Sequence, residues 1–184
     1  MAIGAAGAVV RVPGAKPRQL PGRADAYSFR PATADDLPRL RAWLRAPNVA
    51  SWWGDPEREA ATLEEDLEEP CMTMLIVSFQ GRPFAYVQHY PVDAWPQPHF
   101  AHLPPGSRAV DAFIGEPDML GRGHGSIFLR RLAEQLRAEG APAVAIDPDV
   151  ENARARRAYE RAGFRGDAIV ETGEGPAVLM LFEG

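Results

Sequence analysis

Apolar residues recur at helical spacing in several stretches of the chain. The clearest is the leucine series of residues 37–44, which follows a capping-box pattern at residues 33–36 and should end at Pro47. The pattern predicts four helices: residues 37–44, a short acidic helix opened by Thr62, residues 126–138 and residues 152–162.

Shorter apolar runs bounded by turn residues predict β-strands. Two of them flank the turn Gln80-Gly81-Arg82 and should form a hairpin. The predicted strands are residues 27–30, 72–79, 83–90, 110–114, 143–146, 168–171 and 177–182. Trp52 and Trp53 are assigned to a loop, as are residues 91–107.

Length and apolar content indicate one globular domain, and the acidic balance of charge favours a small cationic partner. The chain has 184 residues, 46% of them apolar, which suffices for a full core. Residues 27–184 are predicted to form this domain, preceded by a flexible leader at residues 1–26. The net charge of −5 argues against general nucleic-acid binding. The single Cys71 excludes an internal disulfide and a cysteine metal cluster, and no metal is expected.

The N-terminal stretch does not favour membrane insertion or secretion. No apolar run approaches the ~18–20 residues of a membrane span. Gly4 and Gly7 interrupt the mildly apolar residues 2–10, and no positive charge precedes them. We therefore expect a cytoplasmic protein, either a monomer or a homodimer.

Three glycines, Gly121, Gly123 and Gly125, stand at every second position between a predicted strand and a predicted helix. Glycine lets backbone N–H groups approach an anion closely, and the N-terminal end of a helix attracts negative charge. A Walker loop is disfavoured, because Ser126 and Ile127 follow the last glycine. A dinucleotide fold would carry its glycines near the N-terminus. An ordinary glycine turn remains possible.

Two linked motifs resemble the GNAT acetyltransferase superfamily. Residues 120–125, Leu-Gly-Arg-Gly-His-Gly, are similar to its pyrophosphate-binding loop, although Leu120 stands where Gln or Arg is frequent. Asn152-x-x-Ala-x-x-x-Tyr159-x-x-x-Gly-Phe is similar to the next motif. The resemblance implies a mixed α/β GNAT fold, with a mostly antiparallel central sheet flanked by helices, and acetyl-CoA as co-substrate. The cofactor contacts it implies are Phe113, Ile114, Leu120, Gly121, Arg122, Gly123, His124, Gly125, Ser126 and Asn152.

Tyr159 is the candidate proton donor. Residues seven apart on a helix differ by about 20° in direction, so Tyr159 lies on the face of Asn152. The resemblance places that face beside the pantetheine arm, where the tyrosine hydroxyl protonates the departing thiolate. A packing role beside Ala155 and Ala162 is the alternative.

A finer resemblance to aminoglycoside 6′-N-acetyltransferases rests on three segments: residues 43–54, with Trp52-Trp53-Gly54, residues 110–117 and residues 175–178. It implies that Asp111 lies beside the acceptor amine, although Ala112 stands where Gln is common. An alkyl amine is protonated at neutral pH, and a carboxylate can hold the cation and remove its proton. The acceptor contacts it implies are Trp52, Trp53, Tyr90, Asp147 and Glu174.

Two other functions remain open. Enzymes that acylate hydroxylysine-type siderophore precursors have a similar shape and tend to carry a His–Asp pair, for which His89, His99 or His102 could supply the histidine. A non-catalytic acyl-CoA-binding module is the third possibility, and the joint presence of Asp111 and Tyr159 disfavours it. No sequence feature indicates an acyl-enzyme through Cys71.

Overall fold

A computed structural model describes residues 26–184. The leader predicted at residues 1–26 lies outside the described residues, except for Ala26, whose carbonyl oxygen accepts a hydrogen bond from Gln80 N (2.6 Å).

One seven-stranded sheet forms the centre of the molecule, in the order β1-β2-β3-β4-β5-β7-β6. Every neighbouring pair is antiparallel except β4 and β5, so the predicted mixed, mostly antiparallel sheet is confirmed. The strands are β1 Tyr27–Pro31, β2 Thr73–Phe79, β3 Arg82–Pro91, β4 Arg108–Ile114, β5 Val144–Ile146, β6 Phe164–Thr172 and β7 Gly175–Phe182.

Five α-helices flank the sheet in the described part of the chain: α1 Leu37–Leu44, α2 Pro47–Trp53, α3 Pro56–Asp66, α4 His124–Ala138 and α5 Ala153–Ala162. Three 3₁₀ turns, Ala34–Asp36, Pro98–Phe100 and Pro117–Met119, accompany them. The predicted capping box is present, with Thr33 N donating to Asp36 Oδ2 (3.1 Å).

The region between the first helix and the hairpin differs from the prediction. Pro47 ends α1, but it also occupies the first turn of α2, where a missing N–H costs nothing. Trp52 and Trp53 therefore lie at the end of a helix, not in a loop. The acidic helix begins at Pro56 rather than at Thr62, because the Asp55 side chain caps it by accepting from two backbone N–H groups.

The helices cover the two faces of the sheet with separate apolar clusters. On one face, α4 buries Phe128, Leu132 and Leu136, each at most 2% exposed, against alternate residues of β3 such as Val87. On the other face, helices α1 to α3 pack on a cluster that includes Tyr86 and Phe113. The period-2 alternation thus places Ala85 and Val87 of β3 in the first cluster and Tyr86, which lies between them, in the second.

The sheet opens between its two parallel strands. β4 pairs with β5 only through Arg108 with Val144 and Ala109 with Ala145. Beyond Ala109 the two strands separate, so residues 110–114 pair with β3 on one side but not with β5 on the other. This gap is where the cavities described below lie.

Gly115, directly after β4, is required by packing rather than by its backbone conformation. A Cβ atom there would lie 2.1 Å from ring atoms of Trp43, whose Nε1 donates to Glu116 Oε1 (2.9 Å). We expect Gly115→Ala to lower the free energy of unfolding by about 1–3 kcal/mol, since the ring must move within a filled core. Thermal and urea unfolding measure this loss.

The matched control is Gly173→Ala, because a Cβ atom there meets no heavy atom within 4 Å. It should change the unfolding free energy by less than about 0.5 kcal/mol. Equal stability of the two variants would contradict the packing role of Gly115.

Candidate active site

Two connected cavities occupy the gap between β4 and β5. A groove of about 140 Å³ follows the glycine turn and α5, and a cavity of about 440 Å³ lies toward the turn between β6 and β7. The residues that line both are Trp52, Trp53, Ala112, Asn152 and Tyr159. A molecule in the groove and a molecule in the cavity would therefore meet at these side chains.

The glycine turn has the backbone that an anion site needs. Gly121 and Gly123 have φ angles of 73° and 83°, a backbone conformation that residues with a Cβ atom rarely adopt. Gly123 is the N-cap of α4, and the backbone N–H groups of residues 124–126 have no acceptor among the described residues. These N–H groups and the helix dipole can together bind a pyrophosphate.

Two residues of the predicted cofactor set differ from the others: His124 lines the groove but has its ring packed against aromatic residues, and Arg122 is outside the lining. The imidazole of His124 packs among aromatic rings, 5.4 Å from the ring of Phe84, and its Nδ1 lies 2.5 Å from the Tyr27 hydroxyl. Arg122 is exposed and outside the lining. His124 can therefore contribute its backbone N–H but not its ring. Burial lowers the pKa of this histidine, so it is neutral at pH 7.

The remaining predicted cofactor residues line the groove: Phe113, Ile114, Leu120, Gly121, Gly123, Gly125, Ser126 and Asn152. The Ile114 carbonyl accepts from Asn48 Nδ2 (2.8 Å), which fixes the end of β4. Arg154 and Arg161 of α5 also line the groove and give it positive charge. This combination suits a phosphate-bearing molecule with an apolar arm.

Asn152 and Tyr159 take the positions that the helical spacing predicts. Asn152 caps α5, with Oδ1 accepting from Ala155 N (3.1 Å), and still borders both cavities. The Tyr159 hydroxyl has no hydrogen-bond partner among the described residues, while its ring packs 6.3 Å from that of Phe164. Burial raises the pKa of Tyr159, as do Asp111 and Asp147, so the hydroxyl keeps its proton.

Asp111 projects from β4 into the larger cavity. Its register partner on β3 is Gln88, whose Nε2 donates to Asp111 Oδ2 (3.0 Å). Burial raises the pKa of Asp111 to about 6, opposed by the Gln88 hydrogen bond and reinforced by Glu174 and Asp66. The carboxylate is thus ionised at pH 7, yet basic enough to accept a proton.

Asp147 and Glu174 bring further negative charge to the same cavity. Burial, Asp111 and Glu174 raise the pKa of Asp147 to about 7. Glu174 is exposed in the turn between β6 and β7, where its N–H donates to Thr172 Oγ1 (3.1 Å). The acids lining this cavity are Glu59, Asp111, Asp147, Asp149 and Glu174, and no Arg or Lys of residues 26–184 lines it.

The aromatic residues predicted to contact the acceptor divide into two groups. Trp53 packs edge-on against Phe113 (4.8 Å between ring centroids), whereas Trp52 is 38% exposed. Tyr90 is buried at the cavity wall, with its ring 5.4 Å from Trp95, which belongs to the connection after β3. Trp52 can therefore offer a free ring face to a sugar or a cation, and Trp53 mainly supports the wall.

Several lining residues were not predicted. Gln88 and Gln97 are the clearest, because each makes a hydrogen bond inside the cavity, Gln88 with Asp111 and Gln97 with the Tyr90 hydroxyl (3.5 Å). Glu59 lies in the acidic segment 55–69 but carries no motif. The strand register would have indicated Gln88, since it places Gln88 opposite Asp111.

Among the three histidines considered for a His–Asp pair, His99 alone lies against an acid in the described residues. Its Nε2 is 3.1 Å from Asp147 Oδ2, at an angle that makes no hydrogen bond. His89 is buried, with Nδ1 unpartnered among the described residues, and burial lowers its pKa to about 4. His102 is exposed.

Neither a metal centre nor a membrane helix is found within residues 26–184. No group of three or more His, Cys, Asp or Glu side chains there could hold a metal ion. No helix in the same range is long and apolar enough to cross a bilayer.

Known proteins match both the sequence and the fold. The sequence model of one protein family, described as Acetyltransferase (GNAT) domain, matches residues 32–172. Aminoglycoside N(6′)-acetyltransferase type 1 from Klebsiella pneumoniae is 32% identical over 169 residues, which are 85% of this chain and 83% of that protein. A crystal structure of aminoglycoside acetyltransferase AAC(6′)-Ib with coenzyme A and kanamycin has a TM-score of 0.75 and 29% identity, covering 84% of this chain and 93% of that one.

A relative with a different acceptor is also found. Lysine N-acyltransferase MbtK from Mycobacterium tuberculosis is 26% identical over 144 residues, which are 76% of this chain and 69% of that protein.

The glycine turn supplies a test of the cofactor groove. We expect Gly123→Val to weaken acetyl-CoA binding at least about tenfold, because a side chain at φ 83° strains the turn and obstructs the N-terminal end of α4. Isothermal titration calorimetry measures the change.

Gly140→Val is the matched control, since Gly140 also has a positive φ (104°) but lies past the other end of α4. It should lose stability while acetyl-CoA affinity stays within about twofold of the wild type. An unaltered affinity of Gly123→Val would exclude the turn as the pyrophosphate site.

Proposed function

Because the chain belongs to the GNAT acetyltransferase family, we propose that it transfers an acetyl group from acetyl-CoA to a primary amine of an aminoglycoside-like cationic amino sugar. The observation that carries the proposal is the joining of two unlike cavities at Tyr159. One has glycine N–H groups and arginines, and the other has carboxylates without a lining Arg or Lys among the described residues.

The acidic cavity accounts for the choice of acceptor. An aminoglycoside carries several ammonium groups, and five carboxyl groups line a cavity of about 440 Å³. Opposite charge attracts such a molecule and holds it in a low-dielectric site. Trp52 supplies a flat apolar surface for a sugar ring.

The residues around the junction have complementary tasks. Acetyl-CoA supplies a thioester whose carbonyl carbon the neutral amine attacks directly. Asp111 holds the ammonium group and takes one of its protons, which frees the nitrogen lone pair. Tyr159 keeps its proton at pH 7 and can donate it to the sulfur as the C–S bond breaks and the C–N bond forms. The second proton that the nitrogen then loses restores the tyrosine hydroxyl. Both groups border the cavity in which the amine would bind.

Acylation of a lysine-type siderophore precursor is the second candidate function. The contact between His99 Nε2 and Asp147 Oδ2 (3.1 Å) favours it, as does the similarity to lysine N-acyltransferase MbtK. The many acids of the cavity favour the amino sugar, because a lysine derivative offers fewer positive charges. We also propose a cytoplasmic location and a monomer or homodimer as the active form.

A thiol-release assay with acetyl-CoA distinguishes the candidates. Kanamycin and ribostamycin should give turnover, whereas a hydroxylysine derivative should give little. Turnover with the hydroxylysine derivative alone would replace the antibiotic acceptor with the siderophore precursor. Binding of acetyl-CoA with no turnover of any amine would favour a non-catalytic binding module.

Tyr159→Phe tests proton donation. The variant should lower kcat by about 10²-fold, because the leaving thiolate no longer receives a positioned proton. The KM for acetyl-CoA should stay near the wild-type value, since the ring and its contact with Phe164 are kept. Steady-state kinetics measure both constants. A wild-type kcat in a folded variant would assign Tyr159 to packing.

Asp111→Asn tests the base. This change keeps the size of the side chain and removes its charge, so activity at pH 7 should fall by about 10²–10⁴-fold. The loss should shrink as pH rises, because more of the amine is then neutral. In the wild type, kcat/KM should rise through about pH 6, where Asp111 ionises. A pH–rate profile of both proteins measures this.

The stability of the free Asp111→Asn variant supplies the control. The native pKa of Asp111 is raised to about 6 from 3.8, so ionisation lowers native stability as pH rises through 6. At pH 8 the variant should therefore melt no lower than the wild type. A lower melting temperature without any rescue of activity at high pH would indicate a structural carboxylate.

A further inference from the structure

A chain of hydrogen bonds leads from the apolar core to Asp111. Tyr86 and Gln88 are two residues apart on β3 and so share one face of the sheet. The Tyr86 hydroxyl donates to Gln88 Oε1 (2.6 Å), and Gln88 Nε2 donates to Asp111 Oδ2 (3.0 Å). Tyr86 is 0% exposed, so water does not compete with its bond to Gln88, whereas the bond from Gln88 to Asp111 is part-buried at the wall of the cavity.

While Asp111 is ionised, the donors and acceptors of these two hydrogen bonds can be arranged in only one way. A carboxylate accepts hydrogen bonds, so Gln88 must turn its NH₂ group toward Asp111. Its carbonyl oxygen then faces Tyr86, whose hydroxyl must donate. Burial raises the pKa of Tyr86, which keeps that proton in place.

The ring of Tyr86 cannot readily leave this position. It packs against Phe113 (5.3 Å between centroids), which lines the groove, and against Trp53 (6.1 Å), which lines both the groove and the larger acidic cavity, here called the acceptor cavity. A fixed hydroxyl therefore fixes the amide of Gln88, and the amide occupies Oδ2 of Asp111. Oδ1, which has no hydrogen-bond partner among the described residues, is left for the amine.

We propose that Tyr86 is a positioning residue, which acts through Gln88 to keep Asp111 ionised and to direct its Oδ1 toward the acceptor amine. The inference rests on the proposed function, in which Asp111 removes the proton from that amine. Tyr86 lies two residues before Gln88 and acts on the reaction without bordering the acceptor cavity.

Other groups near Asp111 work against its ionisation. Glu174 in the turn between β6 and β7 and Asp66 of α3 raise the pKa of Asp111. The remaining titratable groups that interact with it are Tyr86 and Tyr90 of β3, Asp147 after β5 and Tyr159 of α5. Burial is the largest cause of the raised pKa of Asp111, and Gln88 is the neutral donor that opposes both burial and this repulsion.

The proposal is tested with Tyr86→Phe, which keeps the ring and removes the hydroxyl. Without that donor the side-chain amide of Gln88 can flip, so its NH₂ group no longer has to face Asp111. The pKa of Asp111 should then rise by about one unit. The acid limb of the pH profile of kcat/KM should shift to higher pH by the same amount. Activity should fall about tenfold at pH 5 and return to within about twofold of the wild type above pH 8.

A double-mutant cycle separates positioning from packing. Gln88→Met removes the donor to Asp111 and should shift the acid limb at least as far as Tyr86→Phe does. Because Tyr86 acts only through Gln88, adding Tyr86→Phe to Gln88→Met should produce no further shift. Additive shifts, or a loss of activity that is equal at every pH, would overturn the proposal.

A second readout does not depend on turnover. The carboxyl ¹³C resonance of Asp111, assigned by its absence from Asp111→Asn, reports the titration of this group in the free protein. Its midpoint should be higher in Tyr86→Phe than in the wild type, and an equal midpoint would refute the hydrogen-bond chain. If the wild type acetylates no amine, the proposed function fails, while this titration still decides the role of Tyr86.

Discussion

The separation of β4 from β5 after two paired residues is the constraint on which the site depends. Had the parallel pairing continued past Ala109, the backbone of residues 110–114 would be covered and neither cavity would exist. The antiparallel pairing of β4 with β3 continues along the whole length of β4 and satisfies one edge of the open strand. The gap is thus held by ordinary sheet hydrogen bonds on one side and can stay open without a ligand.

Sheet geometry also explains why the two cavities differ in charge. The glycine turn and the N-terminal end of α4 follow β4, and the arginines of α5 stand beside them, so positive potential collects at one end of the gap. The acids come from α3, from β4, from the connection after β5 and from the turn between β6 and β7. A phosphate-bearing donor and a cationic acceptor are therefore drawn to opposite ends of one opening and meet near Tyr159.

The sequence predicted the local features well and the long-range ones poorly. Helix α4, the hairpin and the glycine turn depend on neighbours in the chain, and all three are found near the expected residues. Helix α2 was missed because a proline ends one helix and begins the next equally well. The contacts of Gln88 with Asp111 and of His99 with Asp147 join residues 23 and 48 positions apart, and no periodicity reveals such pairs.

The neighbouring carboxyl groups of the acceptor cavity have different environments, and this separates their roles. Burial raises the pKa of both groups; Asp111 and Glu174 raise that of Asp147 further, and Glu174 and Asp66 raise that of Asp111. Gln88 donates to Asp111 and so opposes the rise of its pKa, whereas no side chain of the described residues donates to Asp147. This difference supports the proposal that Asp111, ionised at pH 7, is the group that accepts the proton of the amine. A bound ammonium group would lower the pKa of both Asp111 and Asp147. Asp147 would then be ionised and could hold the polycation as a second anion.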